Sequence, residues 1–369
     1  MPAATFAPRP VSPALSVHLD ALRAIAAIWV VLSHMRSWDV ASAEVAAWLP
    51  LEGHDAVIVF FVLSGFLISH AAARATGPLD FAIDRASRLY SVAMPVLLAT
   101  WLADTVGRHY APDAYAGHYE WAKPWIYLPL HLLFLGEAWS LREVPSSIPP
   151  YWSLHYEAWY YVAFAALAFL RGAWRVIALA ALVAALGPKL LVMWPVWALG
   201  AALYLWRARL PLTTGEAWFL LISSVAAYAA IEAVNLDHAL WRLGDRLFVA
   251  VVGDGPGNAR NYLADYIVAL LLAGVLLALE RLDWQPPPPV TGAIRWAAGY
   301  SFTLYLLHGP FLLTLRNALD TGRLTTAGTL AILGALGVAT VLVGQVTEKR
   351  RHLWRRFLRT LSARLLPGR

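Results

Sequence analysis

The chain has 369 residues, 60% of them hydrophobic and only 14% charged, with a net charge of +6 and a mean hydropathy of +0.57. Soluble domains carry charge on about a quarter of their residues, and a chain of this length could not cover a water-facing surface with so few. The arginines gather between apolar runs, which points to membrane topology rather than nucleic acid as the reason for the positive balance. There is no cysteine, so disulfides, thiolate metal sites, S-palmitoylation and a cysteine nucleophile are excluded.

Taken in chain order, residues 1–17 are Pro- and Ala-rich, contain Arg9, lack a cleavable signal pattern, and are expected to form a disordered cytoplasmic tail. Apolar runs predict spans at 18–37, 56–73 and 88–106, with a polar linker between the second and third that holds Arg74, Asp80, Asp84, Arg85 and Arg88. Residues 107–150 are aromatic and Pro-rich, and "WIYLPLHLLFLGEAW" within them reads as a re-entrant or interfacial helix. Further spans are predicted at 153–170, 173–187, 189–206, 216–234, 262–280, 293–315 and 326–346, giving an all-α polytopic bundle of about ten spans. One membrane domain, 18–350, is expected, followed by a basic cytoplasmic tail, 351–369.

Arg74, Arg85 and Arg88, then Arg171 and Arg175, Arg207 and Arg209, Arg281 and Arg295, and finally "EKRRHLWRRFLR" all fall on one side if 107–150 stays wholly outside. The positive-inside rule makes that side cytoplasmic, with both termini on it and with loops 38–54, 107–150, 235–261 and 316–325 facing outward.

Ionisable side chains within spans are costly and usually face a cavity or a partner. Arg23 and His34 are eleven residues apart, three turns plus about 20°, so they share one face of the first span, with Arg23 about 16 Å deeper toward the cytoplasm. "PPYWSLHYEAWYY" enters from the outer side with Ser153 as a candidate N-cap and Glu157 one turn inside. Ser301, Tyr305 and His308 lie on one face of a late span, just before Gly309-Pro310, where a kink would free backbone carbonyls. His34, Glu157 and His308 thus converge in the outer half of the membrane. Arg85 and Arg88, at i and i+3, suit a phosphorylated ligand on the inner side.

This set of motifs resembles the acyltransferase-3 family of polytopic membrane O-acyltransferases, over about residues 18–350. Arg23 and His34 match an R-X10-H signature; "VFFVLSGFLIS", with Ser64 and Gly65, matches the second-span motif; "RASRLY", "YWSLHYEAWYY" and "YSFTLYLLH" match three more, in the same order. Two departures stand out: Ala56 occupies a position where the family often has glycine, and no proline follows Glu348.

The resemblance implies an acyl-CoA donor, usually acetyl-CoA, used as substrate with no bound cofactor and held by Arg23, Arg85 and Arg88. It also implies an extracytoplasmic glycan acceptor, a site in the bacterial inner membrane and contact with lipid but not with nucleic acid, and leaves the oligomeric state open. His34 is expected to be the general base, with Glu157 orienting His34 or His308 or binding a sugar hydroxyl, and Trp152, Ser153, Ser301 and Tyr305 lining the substrate pocket. Direct transfer and a covalent acyl-histidine relay both remain open. The histidines lack metal-ligand spacing. A glycan transporter or flippase is the alternative of a different class.

Overall fold

The structure, a computed structural model, describes residues 10–115, 121, 123–318 and 324–365. In chain order its helices are α1 (Pro13–Ser37), α2 (Ala43–Ala46), α3 (His54–Arg74), α4 (Pro78–Tyr110), α5 (Pro124–Leu132), α6 (Trp152–Phe169), α7 (Gly172–Leu186) and α8 (Pro188–Trp206). They continue with α9 (Thr214–Ala233), α10 (Leu236–Val252), α11 (Tyr262–Leu282), α12 (Pro288–Ala298), α13 (Ser301–Ala318), α14 (Thr326–Val346) and α15 (Arg351–Leu365). Among the described residues there is no strand, and seven helices are long and apolar enough to cross a membrane. The expected helical membrane bundle is therefore the observed fold. The other three expected spans form α6, α7 and α13. Polar and aromatic side chains dilute the apolar character of α6 and α13, and α7 has only 15 residues.

Several expected boundaries are corrected. Helix α1 begins inside the segment expected to be disordered: Ser12 caps it by accepting from Leu15 N at 3.1 Å, and Ala14, Leu15 and Val17 are buried. Residues 1–9 lie outside the described part. The linker expected between the second and third spans shrinks to Ala75–Gly77, because Pro78 starts α4 ten residues before Arg88. With 33 residues α4 is about 50 Å long, more than the ~30 Å apolar thickness of a bilayer. The single span expected over 293–315 is broken at Gly299-Tyr300, which separates α12 from α13. The outer loop expected at 235–261 contains α10. Residues 351–365 form α15, whose Arg351, Arg355 and Arg359 pair with Asp84 and Asp80 of α4.

The nine-residue α5 is about 14 Å long and cannot span, as expected. The chain after it is packed into the bundle: Glu137 is 5% exposed and accepts from Asn258 Nδ2 at 2.7 Å and Tyr156 OH at 3.1 Å, with Lys189 Nζ at 3.4 Å.

Helices α3 and α8 cross in close contact. A Cβ at Gly65 would stand 1.9 Å from Trp197 O, and one at Gly200 1.9 Å from Val62 O, so only glycine lets the two backbones meet. This contact holds Ser64 over Trp197, whose Nε1 donates to Ser64 Oγ at 3.3 Å. At one end of the bundle Ser12 meets Asp283, Arg207 meets Glu280, Arg281 donates to Leu212 O, and Arg351 meets Asp84. The basic segments thus share one end, called the basic end below.

Candidate active site

Helices α1 and α13 meet twice. Toward the basic end Arg23 Nη2 donates to Ser301 Oγ at 3.3 Å; toward the other end His34 Nδ1 lies 2.8 Å from His308 Nε2. The shared face inferred from the spacing of Arg23 and His34 is therefore real, and α13 is what it faces. Tyr305, one turn before His308, donates to Pro150 O at 3.0 Å and meets Ser153 Oγ at 2.8 Å, which ties the entry of α6 to this pair of helices. Ser153 is not an N-cap: α6 starts at Trp152, preceded by a helical turn at Pro149–Tyr151, and Ser153 Oγ donates to Pro150 O.

The histidine pair has a defined proton arrangement. His308 Nδ1 lies 3.1 Å from Leu304 O, and a carbonyl can only accept, so Nδ1 carries the hydrogen. In neutral His308 the Nε2 lone pair then accepts from His34 Nδ1–H, and neutral His34 keeps its own lone pair on Nε2. The carbonyl used is that of Leu304, one turn back, and not one released by the Pro310 kink. Trp38 stacks on the His34 ring with centroids 4.2 Å apart and planes 5° apart.

Beside this pair is a cavity of about 230 Å³ among α1, α3, α4, α6 and α13. It is lined by Arg23, Arg85, Arg88, Ser153, Glu157, Ser301 and Tyr305, seven of the residues singled out by sequence, together with Ser64, Tyr161 and His70. His34 and His308 stand just beyond its lining, the His308 ring 6.1 Å from that of Tyr305. Trp152, expected to line the pocket, turns away and stacks on His54 with ring centroids 5.7 Å apart.

Glu157 is not placed as expected. Its carboxylate accepts from Ser64 Oγ at 2.7 Å and from Tyr161 OH, and it touches neither histidine. Arg88 faces Tyr161, Glu157 and Glu348, and Arg23 lies within the same charge cluster, near Arg88, Glu348 and Asp20. Glu348 is anchored by the backbone N–H and hydroxyl of Thr303, each at 3.0 Å. Arg85 pairs with Asp84 and stacks over the Tyr161 ring at 5.7 Å. Arg88 is set about 15 Å along α4 rather than at its start, so it reaches the same depth as Glu157.

Sequence reasoning missed Tyr161, Trp38 and the partner role of Ser64. Tyr161 and Trp38 each lie four residues after a site residue, Glu157 and His34, so helical spacing alone could have nominated them. It also missed a separate buried pair, His54 Nε2 and Asp265 Oδ1 at 2.9 Å.

Chemically, the arrangement offers a neutral imidazole with a free lone pair at one end and a cluster of guanidiniums suited to an anionic ligand at the other. Tyr305, which lines the cavity, stands between the arginine cluster and His308, its ring 6.1 Å from that of His308.

Residues 17–348 match the acyltransferase domain of the acyltransferase-3 family. A stretch of 82 residues, 22% of the chain, is 33% identical to an O-acetyl transferase of Shigella phage Sf6, and it spans a quarter of that protein's length. No solved structure matches the chain.

Proposed function

The chain belongs to the acyltransferase-3 family, and from that premise we propose that it is a multi-pass membrane O-acyltransferase. It moves an acyl group, acetyl in the reading favoured here, from acyl-CoA on the cytoplasmic side to a hydroxyl of an extracytoplasmic glycan. The basic end faces the cytoplasm, in keeping with the positive-inside rule, in a bacterial inner membrane. The observation that carries this reading is the proton chain Leu304 O, His308, His34. It leaves the His34 Nε2 lone pair without a partner in the pair, and the pair stands behind Tyr305, which lines a cavity that holds Arg23, Arg85 and Arg88.

In the proposed reaction the donor's phosphates rest among the arginines, and its thioester extends past Tyr305 toward His34. His34 Nε2 takes the proton of the acceptor hydroxyl as the oxygen attacks the thioester carbonyl. The carbon–sulfur bond breaks, the acyl group stays on the oxygen, and the proton passes from His34 to the departing CoA thiolate. His308 keeps His34 in the required tautomer. Glu157 and Glu348 hold Arg88 and Arg23 in place, a role different from orienting the histidines.

The test uses purified protein in sealed vesicles with labelled acetyl-CoA and a glycan extract. Wild type should transfer label to the glycan; His34→Ala should bind acetyl-CoA but transfer about 10²–10⁴-fold more slowly; Arg88→Ala should lose donor binding. Transfer at the wild-type rate by His34→Ala would refute the mechanism. Glycan flux with no response to acetyl-CoA would favour the transporter.

A further inference from the structure

A second cavity, about 440 Å³, opens at the basic end and shares His70 and Ala71 with the first. It is walled by α3, α4 and α15, through Arg74, Asp80, Asp84, Arg351 and Arg355. Arg351, Arg355 and Arg359 of α15 are spaced four residues apart and so form one row. Arg351 donates to Asp84 at 2.6 Å, Arg355 to Asp80 at 3.1 Å and Arg359 to Asp80 at 2.7 Å. Two carboxylates therefore serve Arg351, Arg355 and Arg359, and Asp84 also holds Arg85, while Arg74 adds a further cation to the rim. Arg85 Nε and Arg355 Nε are buried without a hydrogen-bond partner. Positive charge exceeds negative in this cavity, which borders at His70 and Ala71 the one that holds Arg88.

We propose that α15 is a working wall of the donor site: Arg351 and Arg355 bind the phosphate groups of a nucleotide-bearing donor, exchanging Asp84 and Asp80 for phosphate oxygens when it enters. This rests on the acyl-CoA reading above and adds to it a helix lying beyond the matched domain. The ligand chemistry is a cluster of phosphates, with several charges and many acceptor oxygens, which suits guanidinium forks better than a lone carboxylate does. The aspartates act as placeholders that keep the row at the cavity when no donor is bound.

The probe is CoA itself, with affinity measured on purified full-length protein in nanodiscs of zwitterionic lipid and again with anionic lipid. Arg351→Gln with Arg355→Gln should weaken CoA about tenfold or more, the loss expected for charge-assisted hydrogen bonds. Asp80→Asn with Asp84→Asn should tighten it, because the arginines lose their competitor. An aspartate variant that binds CoA no better than wild type overturns the proposal, since the pairs are then only a structural staple. Unchanged affinity in the arginine variant, with binding lost in Arg88→Ala, overturns it while leaving the acyl-CoA reading intact. Effects confined to anionic nanodiscs identify a lipid headgroup as the ligand and overturn it too. If wild type does not bind CoA, the reading fails and the proposal with it.

Discussion

His34 and His308 are joined by one ring-to-ring hydrogen bond of 2.8 Å, and the carbonyl of Leu304 sets its direction. This assigns unequal roles to two residues of the same type. His34→Ala removes the base and should lower transfer by about 10²–10⁴-fold. His308→Phe leaves the base in place but frees His34 to adopt either tautomer, and should cost a smaller factor, about tenfold for one lost hydrogen bond. The wild-type rate should fall on acidification, because protonated His34 has no lone pair to accept the hydroxyl proton. Acetyl transfer measured across pH for the three proteins checks this; equal losses in both variants would contradict the asymmetry.

Glu157 serves the arginine cluster through Ser64, Tyr161 and Arg88. Glu157→Ala removes the acceptor of Ser64 Oγ and Tyr161 OH, and should cost about 1–3 kcal/mol. Glu157→Gln keeps an acceptor oxygen for Ser64 and Tyr161 and should lose less. Thermal unfolding in detergent ranks the two. In Glu157→Gln the acid limb of the pH–rate profile should stay where it is in wild type, because Glu157 touches neither histidine. A moved limb would restore an orienting role.

What the sequence could tell about this site depended on whether residues shared a helix. Arg23 with His34, and Ser301 with Tyr305 and His308, lie on single helices, where spacing fixes the shared face. Depth along the span then brought the two faces together. The partners of Glu157 come from α3 and from the next turn of α6, and Arg88 reaches it only because α4 starts at Pro78. The polar residues at 80–88 looked like a linker because their compensating charges lie some 270 positions later in α15. Trp152 was misplaced for a similar reason: its stacking partner, His54, opens another helix.

The α3–α8 crossing makes a stability prediction. A methyl group at Gly200 would meet Val62 O at 1.9 Å, and one at Gly65 would meet Trp197 O at the same distance, so backbone rather than a flexible side chain must move. Gly200→Ala should cost about 1–3 kcal/mol, the range typical of overpacking. It should also disturb Ser64, which α3 presents to Glu157 from the next position to Gly65. Lower unfolding temperature together with reduced transfer is the expected result; a fully stable and active Gly200→Ala would show that the helices can part without consequence.

Glu137 and Lys189 form a buried pair away from the reaction, with Lys189 Nζ 3.4 Å from Glu137 Oε2 and also donating to Leu141 O. Burial pushes the Glu137 carboxyl above the usual carboxylate range; Lys189, Asn258 and Tyr156 partly offset this. Lys189→Met removes the largest offset and leaves a carboxylate with only neutral partners, a change expected to cost about 3–5 kcal/mol. The pH dependence follows from linkage. A carboxyl whose folded pKa exceeds its unfolded one binds more protons when folded, so stability falls as pH rises from the unfolded value toward the folded one. Lys189→Met should therefore be most impaired at neutral pH and should recover stability relative to wild type on acidification. Adding Glu137→Gln should restore much of the loss at neutral pH and flatten its pH dependence, because a neutral amide can still hydrogen bond to Asn258 and Tyr156. Unfolding temperatures of the single and double variants at two pH values decide this, and a double variant as weak at neutral pH as Lys189→Met alone would show that the lost stability came from packing rather than from the stranded charge.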